Sequence, residues 1–389
     1  MRANFIGFHN IRAIYLWLNY EWRTVVMGPR EPEGNGLVAT APDPASKERY
    51  RPELDGIRAF CILFTILNHI PGHPVWINGS VGVDVFFALS GWLITALMLR
   101  EYQNTGGISL ASFYTRRVFR ILPLYYGTVV LYVVLALAGA KAGGVSELQH
   151  SIAYMLTMCM EYRPSNVGNL FGHAWTLGIE EKFYGIWPLI LAATIRKPWL
   201  AGLGGCVAFG VLVLTFGVTP LILRGYCGLG FGAGLAMLAL MHEPVGRFLG
   251  QRVSPAPFLI LMLAAYVASV FWPDNFGWNI MIALAAALTI GTLWFRRKVP
   301  TAAILSLKPL PWLGRLTYAI YLVQSICIRM AEAILHAVRL PQNTVTIFLV
   351  AYGLAIAVAA VAHVAIEKPL IRFGRGFAAK WRHQPVVAA

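Results

Sequence analysis

Apolar residues run along this chain in blocks long enough to cross a membrane, and polar residues collect in the short gaps between them. Ten blocks are predicted to be helical spans, at about 55–71, 81–99, 118–139, 179–195, 199–217, 220–241, 257–273, 278–295, 316–338 and 345–366. A further apolar run, 148–160, is short, is broken by His150 and closes at Glu161. It is predicted to be a re-entrant or interfacial segment within a long loop, because so short a run does not span. Ahead of the first block, Phe5 to Trp22 is aromatic but interrupted by His9, Asn10, Arg12 and Asn19, and lacks the h-region and cleavage site of a signal peptide. Residues Gly28 to Ser46 are rich in Pro, Gly and charge and read as disordered, with Met27 a candidate for the true start. No repeat of fixed period is visible, nor a matched pair of broken helices of the transporter kind.

Charge orients these spans. With residue 50 on the cytoplasmic side, the inner loops hold Arg100, Arg116, Arg117 and Arg120, then Arg196 and Lys197, then Arg247 and Arg252, then Arg296, Arg297, Lys298 and Lys308. The tail adds Lys368, Arg372, Arg375, Lys380 and Arg382, whereas the outer loops hold little beyond Lys141, Arg163, Arg224 and Arg339. This asymmetry calls for an even number of spans and two cytoplasmic termini. Counting 148–160 as a span would invert every later loop. Composition agrees: 58% of residues are hydrophobic and 13% charged, about half the charged share of a soluble domain. The expected fold class is an all-α polytopic membrane protein with about ten transmembrane helices. The expected parts are an N-terminal extension over 1–50, a membrane domain over 51–370 and a short basic tail over 371–389.

The net charge of +15 does not point to nucleic acid, because the basic residues fall in short loops between apolar runs. Five cysteines lie scattered in apolar segments without CxxC or Cys/His spacing, so they read as packing residues, not as a disulfide frame or metal site.

Against this background a few polar residues stand out. Arg58 and His69 sit near the two ends of the first span. Eleven positions of helix separate them by roughly 16 Å, about half of a ~30 Å hydrocarbon core. Ionisable groups in a span are costly and face a bundle interior or a wet cavity. The plainer alternative is a snorkelling arginine and an interfacial histidine. Asp84 lies near the outer end of the second span, where it could orient His69 or, equally, cap the helix. Arg117 and Arg120, three apart, share a helix face and could bind a phosphorylated donor, or simply anchor the inner surface. Glu180 and Glu181 head the fourth span beside Trp175 and Tyr184, where helix capping is the bland reading. Ser90-Gly91 lacks the flanking glycine of a nucleophile elbow. Gly228, Gly230, Gly232 and Gly234 read as close helix packing and not as a nucleotide loop. His69 and His73 are parted by Pro71-Gly72, so they do not share a helix face for a metal. Glu367 reads as an interfacial stop able to pair with a loop arginine.

Together these pieces resemble the acyltransferase-3 family of integral membrane acyltransferases. The resemblance rests on LDGIRA (54–59), Asn68-His69, GVDVFFALSGWLIT (82–95), FYTRRVFRILP (113–123), WTLGIEEKFYGIWP (175–188) and TYAIYL (317–322), in that order, over about residues 50–370. It implies transfer of an acyl group, often acetyl, from cytoplasmic acyl-CoA to a hydroxyl of a carbohydrate or glycoconjugate, at a bacterial inner membrane. It also marks Arg58, His69, Arg117, Arg120 and Glu180 as functional positions. The sequence departs from the family at Gly178, at Lys182 (usually Gln) and at Gln324, where a YLxH pattern would have histidine. No fused extracellular hydrolase-like domain is seen.

The expected mechanism needs no metal and no bound cofactor beyond acyl-CoA as donor substrate. Arg117 and Arg120 would hold the CoA phosphates, Arg58 would line the path of the pantetheine arm, and His69 would act as general base, with Glu180 or Asp84 steadying its imidazolium. A transient acyl-imidazole on His69 stands as an equal alternative. Outside this family reading stand a transporter or flippase of a glycolipid or small acid, and a non-catalytic scaffold. Buried charge without function argues against the scaffold.

Overall fold

The computed structural model describes residues 50–139, 144–164, 170–273, 275–296 and 298–381. The chain divides into Met1–Tyr50 and Arg51–Ala389, and the expectations for residues 1–49, Met27 included, lie outside the described residues. Among the described residues every regular element is a helix.

In chain order these are α1 (Pro52–Leu67), α2 (Ser80–Thr105), α3 (Leu110–Leu137), α4 (Gly144–Leu156), two 3-10 turns (Met160–Tyr162 and Gly172–Ala174) and α5 (Trp175–Thr194). There follow α6 (Pro198–Phe216), α7 (Pro220–Met241), α8 (Glu243–Gln251), α9 (Ala256–Phe271) and α10 (Gly277–Phe295). Last come α11 (Pro300–Leu305), α12 (Pro309–Ala337), α13 (Thr344–Ala362), a π turn (His363–Glu367) and α14 (Lys368–Ala379). The boundaries have local causes. Proline opens α1, α6 and α7 in the first turn, where its missing N–H costs nothing. Ser109 and Thr219 cap α3 and α7 with their side chains, Asn343 forms a capping box with Thr346, and left-handed Gly106 stops α2.

Each of the ten predicted spans falls on a helix. Seven helices are long and apolar enough to cross a membrane by themselves: α2, α3, α6, α7, α10, α12 and the continuous α13–α14 rod. The pair α8–α9, bent by 83°, makes an eighth if it is counted as one broken span. The two remaining expected spans are α1, only 16 residues long, and α5, which carries Glu180, Glu181 and Lys182 in its 20 residues. They are also the helices that carry Arg58 and Glu180, with His69 two residues past the end of α1. The run 148–160 folds as the short α4 plus a 3-10 turn and leans on α3, with Tyr125 donating to the Met155 carbonyl at 2.8 Å and Tyr126 to Leu156 at 3.1 Å.

Glycines let the central helices touch through backbone. A Cβ on Gly232 of α7 would stand 2.0 Å from the Ala88 carbonyl of α2, and one on Gly91 would stand 2.1 Å from the Leu229 carbonyl. Gly230 and Gly234 face open space instead, so only half of that glycine-rich run packs as expected. Around α1 the same device recurs: Gly314 of α12 abuts the Asp55 backbone, and Gly56 abuts Leu305 of α11. The helix that bears Arg58 and leads into His69 is thus clamped by α2, α11 and α12. The tail helix α14 is no free extension. It lies on α3, with Gly374 against Phe119, and Phe373 edge-on to Phe119 at 5.3 Å.

Candidate active site

His69 follows α1 by two residues and is exposed. Asn68 ties this corner to the next helix by accepting from the Gly79 N–H at 2.9 Å. His69 Nδ1 lies 2.7 Å from the Thr65 carbonyl oxygen. A carbonyl can only accept, so Nδ1 carries the proton and the lone pair sits on Nε2. When the ring is neutral, the turn therefore presents its basic nitrogen, Nε2, away from the helix.

Deeper along α1, Arg58 donates to Asp55 at 2.7 Å. From α3, Arg117 lies over the Tyr184 ring at 4.8 Å, and the charges of Arg117 and Arg58 both act on Arg120. Glu367, at the foot of the π turn, is within the same electrostatic reach of Arg120 and receives His363 Nδ1 at 2.6 Å. Glu180 on α5 feels Arg117 and Arg58 and accepts a 2.7 Å hydrogen bond from Ser90 of α2. Three helices, α1, α3 and α5, thus bring Arg58, Arg117, Arg120 and Glu180 into one charged cluster. The carboxylates of Glu180, Asp55 and Glu367 face the three guanidiniums and fix their geometry.

Asp84 stands elsewhere. It is fully buried, and its two oxygens take Arg224 Nε at 2.8 Å and Asn279 Nδ2 at 2.9 Å. Arg224 also reaches the Ser80 carbonyl at 2.9 Å. Arg224, expected in an outer loop, is therefore a buried residue of α7 that locks α2, α7 and α10 together. The His69 ring has the Thr65 carbonyl and not Asp84 as its partner, and Asp84, in the second turn of α2, caps no helix end.

The departures at Gly178 and Lys182 form one unit. Lys182 Nζ reaches Glu161 Oε1 at 2.5 Å, Met158 O at 3.2 Å and Gly178 O at 3.3 Å. A Cβ at Gly178 would stand 1.9 Å from Glu161 Oε2. The buried Glu161 carboxylate needs both the cation and the gap. Gln324, the third departure, is 1% exposed, and neither of its amide atoms has a partner among the described residues.

Sequence reasoning missed His173. It sits in the 3-10 turn before α5, 7% exposed, and meets the His69 ring edge to face at 6.3 Å between centroids. Its only advance signal is position, two residues before the WTLGIEE stretch.

Compared with known proteins, residues 51–364 match the model of the acyltransferase-3 family, described as an acyltransferase domain. A putative O-acetyltransferase of Staphylococcus aureus is 30% identical over 317 residues, covering 71% of this chain and 50% of that protein. The putative peptidoglycan O-acetyltransferase YrhL of Bacillus subtilis is 31% identical over 313 residues, covering 70% and 48%. The peptidoglycan O-acetyltransferase OatA of Listeria monocytogenes is 25% identical over 386 residues, covering 87% and 60%. The chain spans about half the length of the first two. No solved structure matches.

Proposed function

The chain belongs to the acyltransferase-3 family, and on that premise we propose that it is a bacterial inner-membrane O-acyltransferase using cytoplasmic acyl-CoA, in the simplest case acetyl-CoA. The acceptor is a hydroxyl of a carbohydrate or glycoconjugate reached from the opposite face, a class to which the names of YrhL and OatA point. One observation carries the reading. Three clustered arginines, one of them on α1, and a histidine just past the end of α1 lie about half a membrane apart along that helix.

In this reading Arg117 and Arg120 hold the donor's phosphates, since charge-assisted bonds to phosphate are strong. Arg58 lines the way for the pantetheine arm along α1. His69 Nε2 takes the proton of the acceptor hydroxyl, and the Thr65 carbonyl keeps the ring in the tautomer that can do so. The hydroxyl oxygen attacks the thioester carbonyl, the C–S bond breaks, and the thiolate takes the proton back from the imidazolium. Glu180, bonded to Ser90, holds the arginine cluster in place, and Asp84 holds the scaffold.

The test is thiol release from acetyl-CoA by the purified protein in liposomes, with a panel of sugar acceptors, comparing wild type with His69→Ala. Release that needs both His69 and an acceptor supports acyl transfer. No release with any acceptor, together with no CoA binding, moves the reading to a transporter.

A further inference from the structure

The ring of His173 is fixed on every side but one. Its backbone carbonyl accepts from the Tyr321 hydroxyl, which also bonds Thr176 at 2.6 Å. Its ring packs edge-on against Phe171 at 5.0 Å and Tyr321 at 5.3 Å. Nδ1 stands 3.1 Å from the Ser325 hydroxyl. The residue before the turn, Phe171, has φ 59, a left-handed conformation that a bulky side chain adopts only where its surroundings impose it. What remains is Nε2, buried and without a partner among the described residues, on a ring whose neighbour is His69. An orphaned polar atom in a well-packed interior calls for an explanation, and here it sits beside the base of the proposed reaction. Burial pushes this imidazole down to about 3, so it stays neutral at working pH. An imidazole with so low a pKa is a poor base but a sound hydrogen-bond donor, able to polarise a carbonyl.

We propose that His173 belongs to the reaction centre, its Nε2–H donating to the thioester carbonyl oxygen as negative charge develops there. The inference rests on the O-acyl transfer proposed above. In this role the Ser325 hydroxyl donates to Nδ1, which leaves the ring proton on Nε2. As His69 Nε2 accepts the hydroxyl proton and the new C–O bond forms, the carbonyl π electrons move to oxygen. His173 bonds that oxyanion until the electrons return and the C–S bond breaks. The two imidazoles thus hold opposite tautomers for opposite tasks: His69 is protonated on Nδ1 and accepts, and His173 is protonated on Nε2 and donates.

The experiment compares wild type, His69→Ala, His173→Leu, His173→Gln and Ser325→Ala as full-length protein in liposomes. The donor is acetyl-CoA, and the acceptors are N-acetylglucosamine oligosaccharides, peptidoglycan fragments and hexoses. His173→Leu should lower kcat by roughly 10²–10³-fold, the usual loss on removing one oxyanion donor, with KM for acetyl-CoA and the unfolding temperature nearly unchanged. His173→Gln keeps a neutral N–H and should recover at least tenfold of that loss. Ser325→Ala should fall between. Wild-type turnover in His173→Leu overturns the inference while His69→Ala still upholds acyl transfer. Equal losses in the Leu and Gln variants, tracking a lower unfolding temperature, also overturn it in favour of a packing role. A wild type without thiol release removes the function reading and this inference with it.

Discussion

Lys182 of α5 reaches Glu161 in the 3-10 turn, Nζ to Oε1 at 2.5 Å, and the Glu161 side chain is 1% exposed while that of Lys182 is 21% exposed. Removing one partner of such a pair leaves an uncompensated buried charge, which costs about 3–5 kcal/mol. Lys182→Met should therefore lower the unfolding temperature sharply, and Glu161→Gln with Lys182→Gln should recover most of it. Thermal unfolding of detergent-solubilised protein checks this. Gly178→Ala belongs to the same test, since its new methyl group would overlap Glu161.

Arg117 and Arg120 are expected to act on donor binding. A lost hydrogen bond to a charged group costs about 1.5–3 kcal/mol. Arg120→Ala should thus raise KM for acetyl-CoA by roughly 10–100-fold, with a smaller change in kcat. Arg117→Lys should lose part of this as well, because an ammonium cannot reproduce the planar stacking on Tyr184. Steady-state kinetics over a range of acetyl-CoA concentrations reads both.

Asp84 should separate stability from chemistry. Asp84→Ala strands Arg224 inside the bundle, at about 3–5 kcal/mol, and should cut the yield of folded protein. The fraction that folds should keep a turnover close to wild type. A folded, stable Asp84→Ala protein without activity would return Asp84 to the reaction.

Glu180→Gln keeps the Ser90 bond but removes the negative charge from the arginine cluster. The expected result is tighter product CoA and slower turnover, seen as a lower kcat with KM for acetyl-CoA equal or reduced. Product-inhibition measurements with free CoA provide the check.

The helices were legible because membrane-length apolar blocks have few alternatives, and Arg58 and His69 stood out as candidates because charge inside such a block is conspicuous. Asp84 was legible as an unusual residue, but its partner was not. Arg224 lies 140 positions away in a segment whose charge reads equally well as loop decoration. His173 was hidden for a different reason. A histidine beside tryptophan in a loop looks interfacial, and only the docking of that loop between α1 and α12 turns it toward His69. The odd residues Gly178 and Lys182 looked like independent departures from the family pattern. They are one adjustment around a carboxylate that lies outside the motif.

The first helix also has a bearing on the bilayer. Sixteen residues rise roughly 24 Å, short of the ~30 Å depth of hydrocarbon. A helix this short that crosses a bilayer is accommodated by local thinning, which would put His69 at the floor of a dimple and not at a flat surface. The membrane's own thickness would then be a variable of the proposed reaction: thicker lipid would deepen the well that an acceptor must enter, and thinner lipid would raise the histidine toward it.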